Sequence, residues 1–210
     1  MMYLTRLSLN HTRIAIQWAA NPYRVHQRLK MGCEGDPRLL FRIEETALGA
    51  YILAQTHHAP SWSMAFDDFM VLDGPPEMKS FELKLQAGRA YQFRLLANPS
   101  VKKTVSGEDQ EEKKTRLGLV SEEAQLAWLR RKLEAAGAEV VSVQAASRGL
   151  TRSSKNPAKD EHTQTHLSVL FEGVLLAKEP EMLEQAVRQG IGPAKGYGFG
   201  LLSLAAARGD

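Results

Sequence analysis

The stretch Tyr3-Leu-Thr-Arg-Leu-Ser-Leu9 alternates apolar and polar side chains, and a helix signal follows it at Asn21-Pro22. Alternation with a period of two residues predicts a half-buried strand. Asparagine is a favoured N-cap and proline suits the first helical position, so we expect a helix from Pro22 to about Met31. A strand followed by such a helix is the first part of a β-α-β-β-α-β unit.

The other apolar runs of the first half are equally short and strand-like. They cover residues 39–43, 51–55, 81–85 and 91–96, with a short helical piece within 62–69. Residues 1–97 are therefore predicted to form one domain. The polar run 98–116 has no apolar period and is predicted to be a linker or mobile loop.

Residues 117–210 repeat the order of the first half. A helix signal at Ser121 precedes strand-like segments at 140–143 and 166–176, a helix at 180–189 and a strand at 201–204. Two consecutive units of this kind predict an α+β fold of two tandem ferredoxin-like domains, with the topology of the RNA-recognition motif. That topology alone implies no function.

A glycine-rich window, Gly190-Ile-Gly-Pro-Ala-Lys-Gly-Tyr-Gly-Phe-Gly200, follows the last predicted helix. Its spacing matches neither the dinucleotide fingerprint nor the P-loop. Loops of this kind can aim backbone N–H groups at an anion. We expect Gly190, Gly192, Lys195, Gly196, Gly198 and Gly200 to bind phosphate or RNA. The start of the RNA-recognition-motif signature is matched by residues 195–199, in which Tyr197 and Phe199 either stack on bases or pack internally.

Basic residues are segregated along a chain whose formal net charge is only +3. Residues 1–33, 83–107 and 140–159 carry five, five and four Arg/Lys and no acidic residue. Segregation of this kind is typical of nucleic-acid binding, although surface lysines also cluster by chance. The candidate RNA-binding residues in the last two blocks are Arg94, Lys102, Lys103, Arg148, Arg152, Lys155 and Lys159.

Several classes of site and location are disfavoured by composition. The lone cysteine, Cys33, excludes an internal disulfide framework and a four-cysteine zinc site. His162 and His166 have zinc-like spacing, but in a strand they would lie about 13 Å apart. We therefore expect no metal and no cofactor. The start of the chain is strand-like rather than a signal peptide, and no apolar run approaches a membrane span, so we expect a cytoplasmic protein.

The first turns of the predicted helix carry the best candidates for chemistry. Tyr23 and His26 share a face with Lys30, although such residues at a helix start more often pack or face solvent. A histidine can give or take a proton at neutral pH, and a tyrosine can orient a hydroxyl. These groups favour metal-free attack by an RNA 2′-hydroxyl on its own phosphate, with Arg28 or Lys30 offsetting the charge that develops. Whether His26 is the acid or the base is left open.

Taken together, the motifs resemble the CRISPR-associated repeat endoribonucleases of the CasE type, found in type I-E systems. The matching segments are Met2-Tyr-Leu-Thr-Arg-Leu, Tyr23-x-x-His26-Gln-x-Leu, Phe93-Arg-Leu-x-Ala-Asn-Pro99, Ala127-Trp-Leu-x-Arg-Lys-Leu133, Leu170-Phe-Glu-Gly173 and Gly190-Ile-Gly-Pro-Ala-Lys195 leading into Gly200-Leu-Leu-Ser-Leu204. Each is weak alone, whereas their order and spacing together are specific.

The resemblance implies metal-independent cleavage of CRISPR repeat RNA at the 3′ base of its stem-loop. It also implies that the product is retained by a subunit of the Cascade surveillance complex. The family's catalytic pair corresponds to Tyr23 and His26, and its basic RNA-groove insertion corresponds by position and charge to residues 148–159. Some relatives carry arginine directly after the histidine, whereas Gln27 stands here. The cation that stabilises the transition state is therefore left open.

Two other functions fit the same sequence. A non-catalytic scaffold could hold an RNA hairpin through the basic face and the glycine loop, with His26 merely contacting phosphate. A ferredoxin-like regulatory domain could bind a mononucleotide in the loop. Incubation with a labelled repeat hairpin separates the scaffold from a nuclease. Saturable binding of a mononucleotide without affinity for the hairpin would favour the regulatory domain.

Overall fold

The computed structural model describes residues 1–47, 49–106, 112–154 and 163–207. They form two four-stranded antiparallel sheets and one two-stranded sheet with helices, which confirms the predicted α+β class. The strands are β1 (Met2–Ser8), β2 (Leu40–Thr46), β3 (Gly49–Thr56), β4 (Glu77–Phe81), β5 (Ala90–Ala97), β6 (Ser100–Ser106), β7 (Glu112–Gly118), β8 (Ala138–Ser153), β9 (Gln164–Ala177) and β10 (Leu202–Ala206). The helices are α1 (Arg13–Ala19), α2 (Pro22–Met31), α3 (Ser63–Phe66), α4 (Glu122–Glu134) and α5 (Pro180–Gln189).

The two large sheets have the same internal order. The first runs β2-β3-β1-β4 and the second β8-β9-β5-β10, so in each half the second, third, first and fourth strands lie side by side. Each half has its own apolar core. One core includes Val25, Leu29 and Phe41, and the other includes Trp128 and Phe171.

The boundary predicted between the halves at residue 97 is wrong for β5. Residues 90–97 pair with β9 and β10 in the second sheet, and the free edge of β1 is filled by β4. The sequence pattern does not predict β4, because most of its side chains are exposed and do not alternate between apolar and polar. In β5, by contrast, Tyr91, Phe93 and Leu95 are buried in the core of the second half.

The predicted linker at 98–116 is also wrong, because it contains a β-hairpin. Strands β6 and β7 pair along their whole length, and the Leu119 amide donates to the Pro99 carbonyl at 2.9 Å where the hairpin leaves the second sheet. The described side chains of this hairpin are mostly exposed. A strand pair that buries neither face shows no apolar period, and for that reason the pattern of residues 98–116 predicts a loop instead of a hairpin.

Strand β8 extends into the basic segment predicted at 148–159. It pairs with β9 as far as Ser153, with register shifts between Val140 and Ser142 and between Ser147 and Gly149. The first irregularity lies opposite Val174 and Leu175. On the adjacent Gly173, an added Cβ would lie 2.0 Å from the Ser142 carbonyl oxygen. The remainder of the predicted insertion, from 155 onward, lies outside the described residues.

A buried arginine joins the two halves. Arg42 on β2 is 2% exposed; its Nε donates to Glu44 at 2.6 Å, its Nη1 to the Leu201 carbonyl at 2.9 Å and its Nη2 to the Ser203 hydroxyl at 3.2 Å. Glu44 also accepts from Arg94 of β5 at 2.7 Å. The first sheet and the C-terminal strand are thus held in one geometry by charge-assisted hydrogen bonds.

We expect Arg42→Met to lower the free energy of unfolding by about 3 kcal/mol, measured by urea denaturation. Loss of one partner from a buried pair costs about 3–5 kcal/mol, and the lower figure applies because Arg94 still pairs with Glu44. The control is Arg130→Met, which removes an exposed cation from α4 and is expected to change stability by less than about 0.5 kcal/mol. Equal stability of the two variants would contradict the role assigned to Arg42.

Candidate active site

Helix α2 presents Tyr23 and His26 to the glycine loop, beside its buried side. The helix spans Pro22–Met31, as predicted, with Val25 and Leu29 buried beneath it. Asn21 occupies the N-cap position, but its amide donates to the Ser154 carbonyl at 2.9 Å rather than capping the helix. The helix start is thereby tied to the end of β8.

The His26 imidazole is half-buried between β2 and the glycine loop. Its ring lies 6.0 Å from that of Phe41, with an angle of 20° between the planes. An added Cβ on Gly196 would lie 3.4 Å from His26 Cε1, so the loop backbone packs directly against the imidazole. Burial, together with the charge of Lys30, lowers the pKa of His26 below its ordinary value. A lowered pKa favours the neutral ring at pH 7, the form that accepts a proton.

Tyr23 contacts the same loop one turn earlier. Its ring stacks on Tyr197 with centroids 6.2 Å apart, and its hydroxyl accepts a hydrogen bond from the Gln27 amide at 3.1 Å. The other neighbour of Tyr197 is the His166 ring, at 4.6 Å. Burial, with a contribution from Tyr23, raises the pKa of Tyr197. This tyrosine is half-buried between two rings of the protein.

The glycine loop connects α5 to β10 through a single 3₁₀ turn at Lys195–Tyr197. Gly200 has φ +90°, and a Cβ there would lie 2.7 Å from the Ile191 carbonyl oxygen. Such a position requires glycine on both conformational and steric grounds. Phe199 is 1% exposed. For Phe199, therefore, internal packing rather than base stacking is correct.

The loop is more than the phosphate cradle predicted from its glycines. Within the described ranges, five of its N–H groups donate to protein carbonyls, namely those of Gly190, Ile191, Tyr197, Gly198 and Gly200. Its capacity for an anion therefore lies in the remaining N–H groups and in Lys195. Its packing role is direct, because Gly192 lies against Trp128 and Gly198 against Phe41.

Two predicted RNA-binding arginines are held by carboxylates. Arg28 donates to Asp68 and to the Ala65 carbonyl. Arg94 bridges Glu44 and Glu172, each at 2.7 Å. Arg28 also lies about 200° around the helix from His26, whereas Lys30, four residues on, shares its face. The structure therefore favours Lys30 over Arg28 as the cation beside the imidazole.

The other predicted basic residues lie on two separate strand pairs. Lys102 and Lys103 are exposed on β6, and Arg148 and Arg152 lie on β8. Arg148 also lines a cleft of about 410 Å³ next to Tyr197 and Pro22. The two remaining predicted RNA-binding residues, Lys155 and Lys159, lie outside the described residues.

Sequence reasoning missed Phe41 and His166 as neighbours of the site. The sequence pattern predicts only a strand position for Phe41, and for His166 it predicts a strand position and disfavours a role as a zinc ligand. His166 lies on β9, where burial lowers its pKa and its Nε2 is buried without a hydrogen-bond partner in the described part of the chain. No local pattern marks either residue, because each reaches the site from a strand, β2 or β9, and not from helix α2 itself.

Within the described ranges, three or more His, Cys, Asp or Glu side chains do not come together in a group that could hold a metal ion. Among the same residues, no helix is long and apolar enough to span a membrane.

Comparison with known proteins places the chain in a family. A model of the family described as "CRISPR associated protein" matches residues 2–206. The CRISPR-associated endoribonuclease Cse3 of Thermus thermophilus is 32% identical over 222 residues, covering 97% of this chain and 100% of that protein. The CRISPR system Cascade subunit CasE of Escherichia coli strain K12 is 35% identical over 215 residues, covering 97% and 99% respectively.

A solved structure of Thermus thermophilus Cse3, bound to an RNA representing a pre-cleavage complex, superposes with a TM-score of 0.78. The two are 32% identical, and the match covers 97% of this chain and 98% of that one. Because the family model and the relatives both match nearly the full length, the chain belongs to the CRISPR-associated protein family, in the group of Cse3 and CasE.

Proposed function

We propose that this protein is a metal-independent endoribonuclease that cleaves CRISPR repeat RNA at the 3′ base of its stem-loop. It then retains the product as a subunit of a Cascade complex. One observation carries the assignment of the site. In a chain related to endoribonucleases, the half-buried His26 has a lowered pKa, which favours the neutral imidazole, and it packs against the glycine loop beside Tyr23. The names of the relatives support the substrate and the assembly.

Each half is proposed to be a ferredoxin-like domain. The support is the repeated strand order, in which the second, third, first and fourth strands are neighbours in both sheets. The first domain then ends after β4 and the second begins at β5, with the β6–β7 hairpin as an insertion in the second.

The reaction requires only proton transfers and charge stabilisation from the protein, because the nucleophile belongs to the substrate. His26 takes the proton of the 2′-hydroxyl as that oxygen attacks the adjacent phosphorus. The bond from phosphorus to the 5′ oxygen breaks, and the leaving oxygen takes up a proton from solvent, to which His26 then returns the proton it accepted. The products are a 2′,3′-cyclic phosphate and a 5′-hydroxyl. Tyr23 donates a hydrogen bond to the reacting phosphate, while Lys30 offsets its developing charge.

We expect His26→Ala to slow single-turnover cleavage of a labelled repeat hairpin by about 10²- to 10⁴-fold, the usual contribution of a general acid or base. The His26→Ala variant should retain the wild-type affinity for a hairpin with 2′-deoxyribose at the scissile nucleotide. The wild-type protein should leave that hairpin uncut. Addition of EDTA should leave the wild-type rate unchanged.

The matched control is His58→Ala, because His58 is an exposed histidine that does not belong to α2. It should cleave at the wild-type rate. Retained cleavage by His26→Ala would reject the proposed catalytic role. Intact RNA in a stable complex with the wild-type protein would instead identify a hairpin-binding scaffold.

The cleavage rate of bound RNA should rise with pH through a midpoint below the ordinary histidine pKa and then level off. The sign follows from the base role, because a lowered pKa leaves His26 neutral and able to accept a proton above that midpoint. Lys30→Gln should raise the midpoint, since the Lys30 charge contributes to the shift. Arg24→Gln, on an exposed position of α2, is the control. A rate that falls through the same midpoint would assign His26 as the acid.

Gly196→Val should slow cleavage of bound hairpin by about 100-fold, since displacement of a catalytic group by about 1 Å has effects of that size. The branched side chain would meet an imidazole that already lies 3.4 Å from the Cβ position. Gly196→Ala adds only that Cβ and should retain most of the rate. Loss of hairpin affinity with an unchanged rate in Gly196→Val would restrict the loop to RNA binding.

A further inference from the structure

A second cleft lies on the far side of the glycine loop from His26. It encloses about 800 Å³ between α4, α5, the β6–β7 hairpin and loop residues 190–195. Lys195 lines this cleft, and the next residue, Gly196, contacts the imidazole. The cleft therefore begins within one residue of the proposed cleavage site.

The described lining of this cleft carries charge of one sign. Among the residues that the structure describes, five cationic side chains line it and no carboxylate does. They are Lys102, Arg116, Arg131, Lys132 and Lys195. Over the part of the chain that the structure describes, none of the five belongs to an ion pair. This contrasts with Arg28 and Arg94, whose charges are met by carboxylates.

The cations are also held close to one another at a cost in stability. Lys102 lies directly opposite Arg116 across the β6–β7 ladder, and like charges in opposite positions destabilise a strand pair. Burial lowers the pKa of Lys195, and the charges of Arg38 and Lys132 lower it further. Repulsion of this kind is relieved when a polyanion binds.

The lining identifies what a ligand can contact. Trp128 is only 2% exposed and lies against Gly192, so it offers no open ring for a base to stack on. Gln185 and Gln189 add amide groups that can hydrogen-bond to phosphate or ribose. Cations with amides and no stacking ring are suited to the sugar–phosphate backbone rather than to the bases.

We propose that this cleft, lined by Lys102, Arg116, Arg131, Lys132 and Lys195, binds the backbone of a single-stranded flank that continues from the base of the RNA hairpin. The proposal rests on the proposed function and adds a second contact region to it. It explains why the unpaired cations are concentrated beside the loop that packs on His26. The flank can be 5′ or 3′ of the stem, and the two share the same backbone chemistry.

The test measures dissociation constants against salt for three uncleavable hairpins carrying 2′-deoxyribose at the scissile nucleotide. One has no flank, one has a short 5′ flank and one a short 3′ flank. In the wild type we expect one flank to tighten binding. Arg131→Gln/Lys132→Gln should abolish that gain while binding the flank-free hairpin like the wild type. For flanked RNA, a plot of the logarithm of the association constant against the logarithm of the salt concentration should become less steep in this variant. The magnitude of the slope should decrease by about 1.4, or about 0.7 for each lost contact to single-stranded RNA.

The matched control is Arg130→Gln/Lys178→Gln, which removes two cations that line a neighbouring cleft between α4 and β8. It should keep the gain from the flank. Four results would overturn the proposal: no gain from either flank, no effect of the Arg131/Lys132 variant, equal loss for flank-free RNA, or equal loss in the control. Unchanged RNA affinity with weakened association to other Cascade subunits would also overturn it, by assigning the cleft to a protein.

Cleavage of an all-ribose hairpin by the wild type is measured in parallel. Binding of the flank without cleavage would support the cleft and reject the nuclease. Cleavage without a contribution from the flank would support the nuclease and reject the cleft.

Discussion

The close approach of the glycine loop to α2 and β2 is the constraint on which the site depends. His26 and Phe41 belong to the first half of the chain, and Gly196 and Gly198 belong to the second. A Cβ would lie 3.4 Å from the imidazole at Gly196 and 3.3 Å from the Phe41 ring at Gly198. Because these positions carry no side chain, the loop backbone can form one wall of the His26 environment. Burial by that wall is part of what lowers the pKa of His26.

This approach is maintained by interactions behind the site. The Arg42 guanidinium reaches from β2 to the Leu201 carbonyl, directly after the loop, and Gln55 of β3 donates to the Val187 carbonyl of α5, directly before it. Both ends of the loop are therefore anchored to the first sheet by buried polar side chains. Satisfied hydrogen bonds of this kind define one geometry, since any displacement leaves a buried polar group unpaired.

Local sequence signals predict the bounds of α2 correctly, whereas they do not predict how distant strands pair. The bounds of α2 matched because an N-cap position, a first-turn proline and a 3.6-residue period are all local. Strand β4 was missed and β5 was assigned to the wrong half, because strand partners depend on which sheet edge is free. The exposed β6–β7 hairpin has no apolar period and so resembled a linker. Likewise, no sequence pattern predicts that Arg28 and Arg94 form ion pairs with carboxylates.

The sequence by itself determined the α+β class, the repeated order of elements, the Tyr23/His26 helix and the resemblance that led to the family. Each of these features can be predicted from short-range periodicity or from the spacing of motifs. Only the tertiary structure decided that Gly196 packs on His26, that Phe41 and His166 complete the surroundings, and which cations are left unpaired. Those features depend on contacts between different helices, strands and loops, and the contact of Gly196 with His26 joins opposite ends of the chain. Such contacts are set by the packing of two sheets and leave no local pattern.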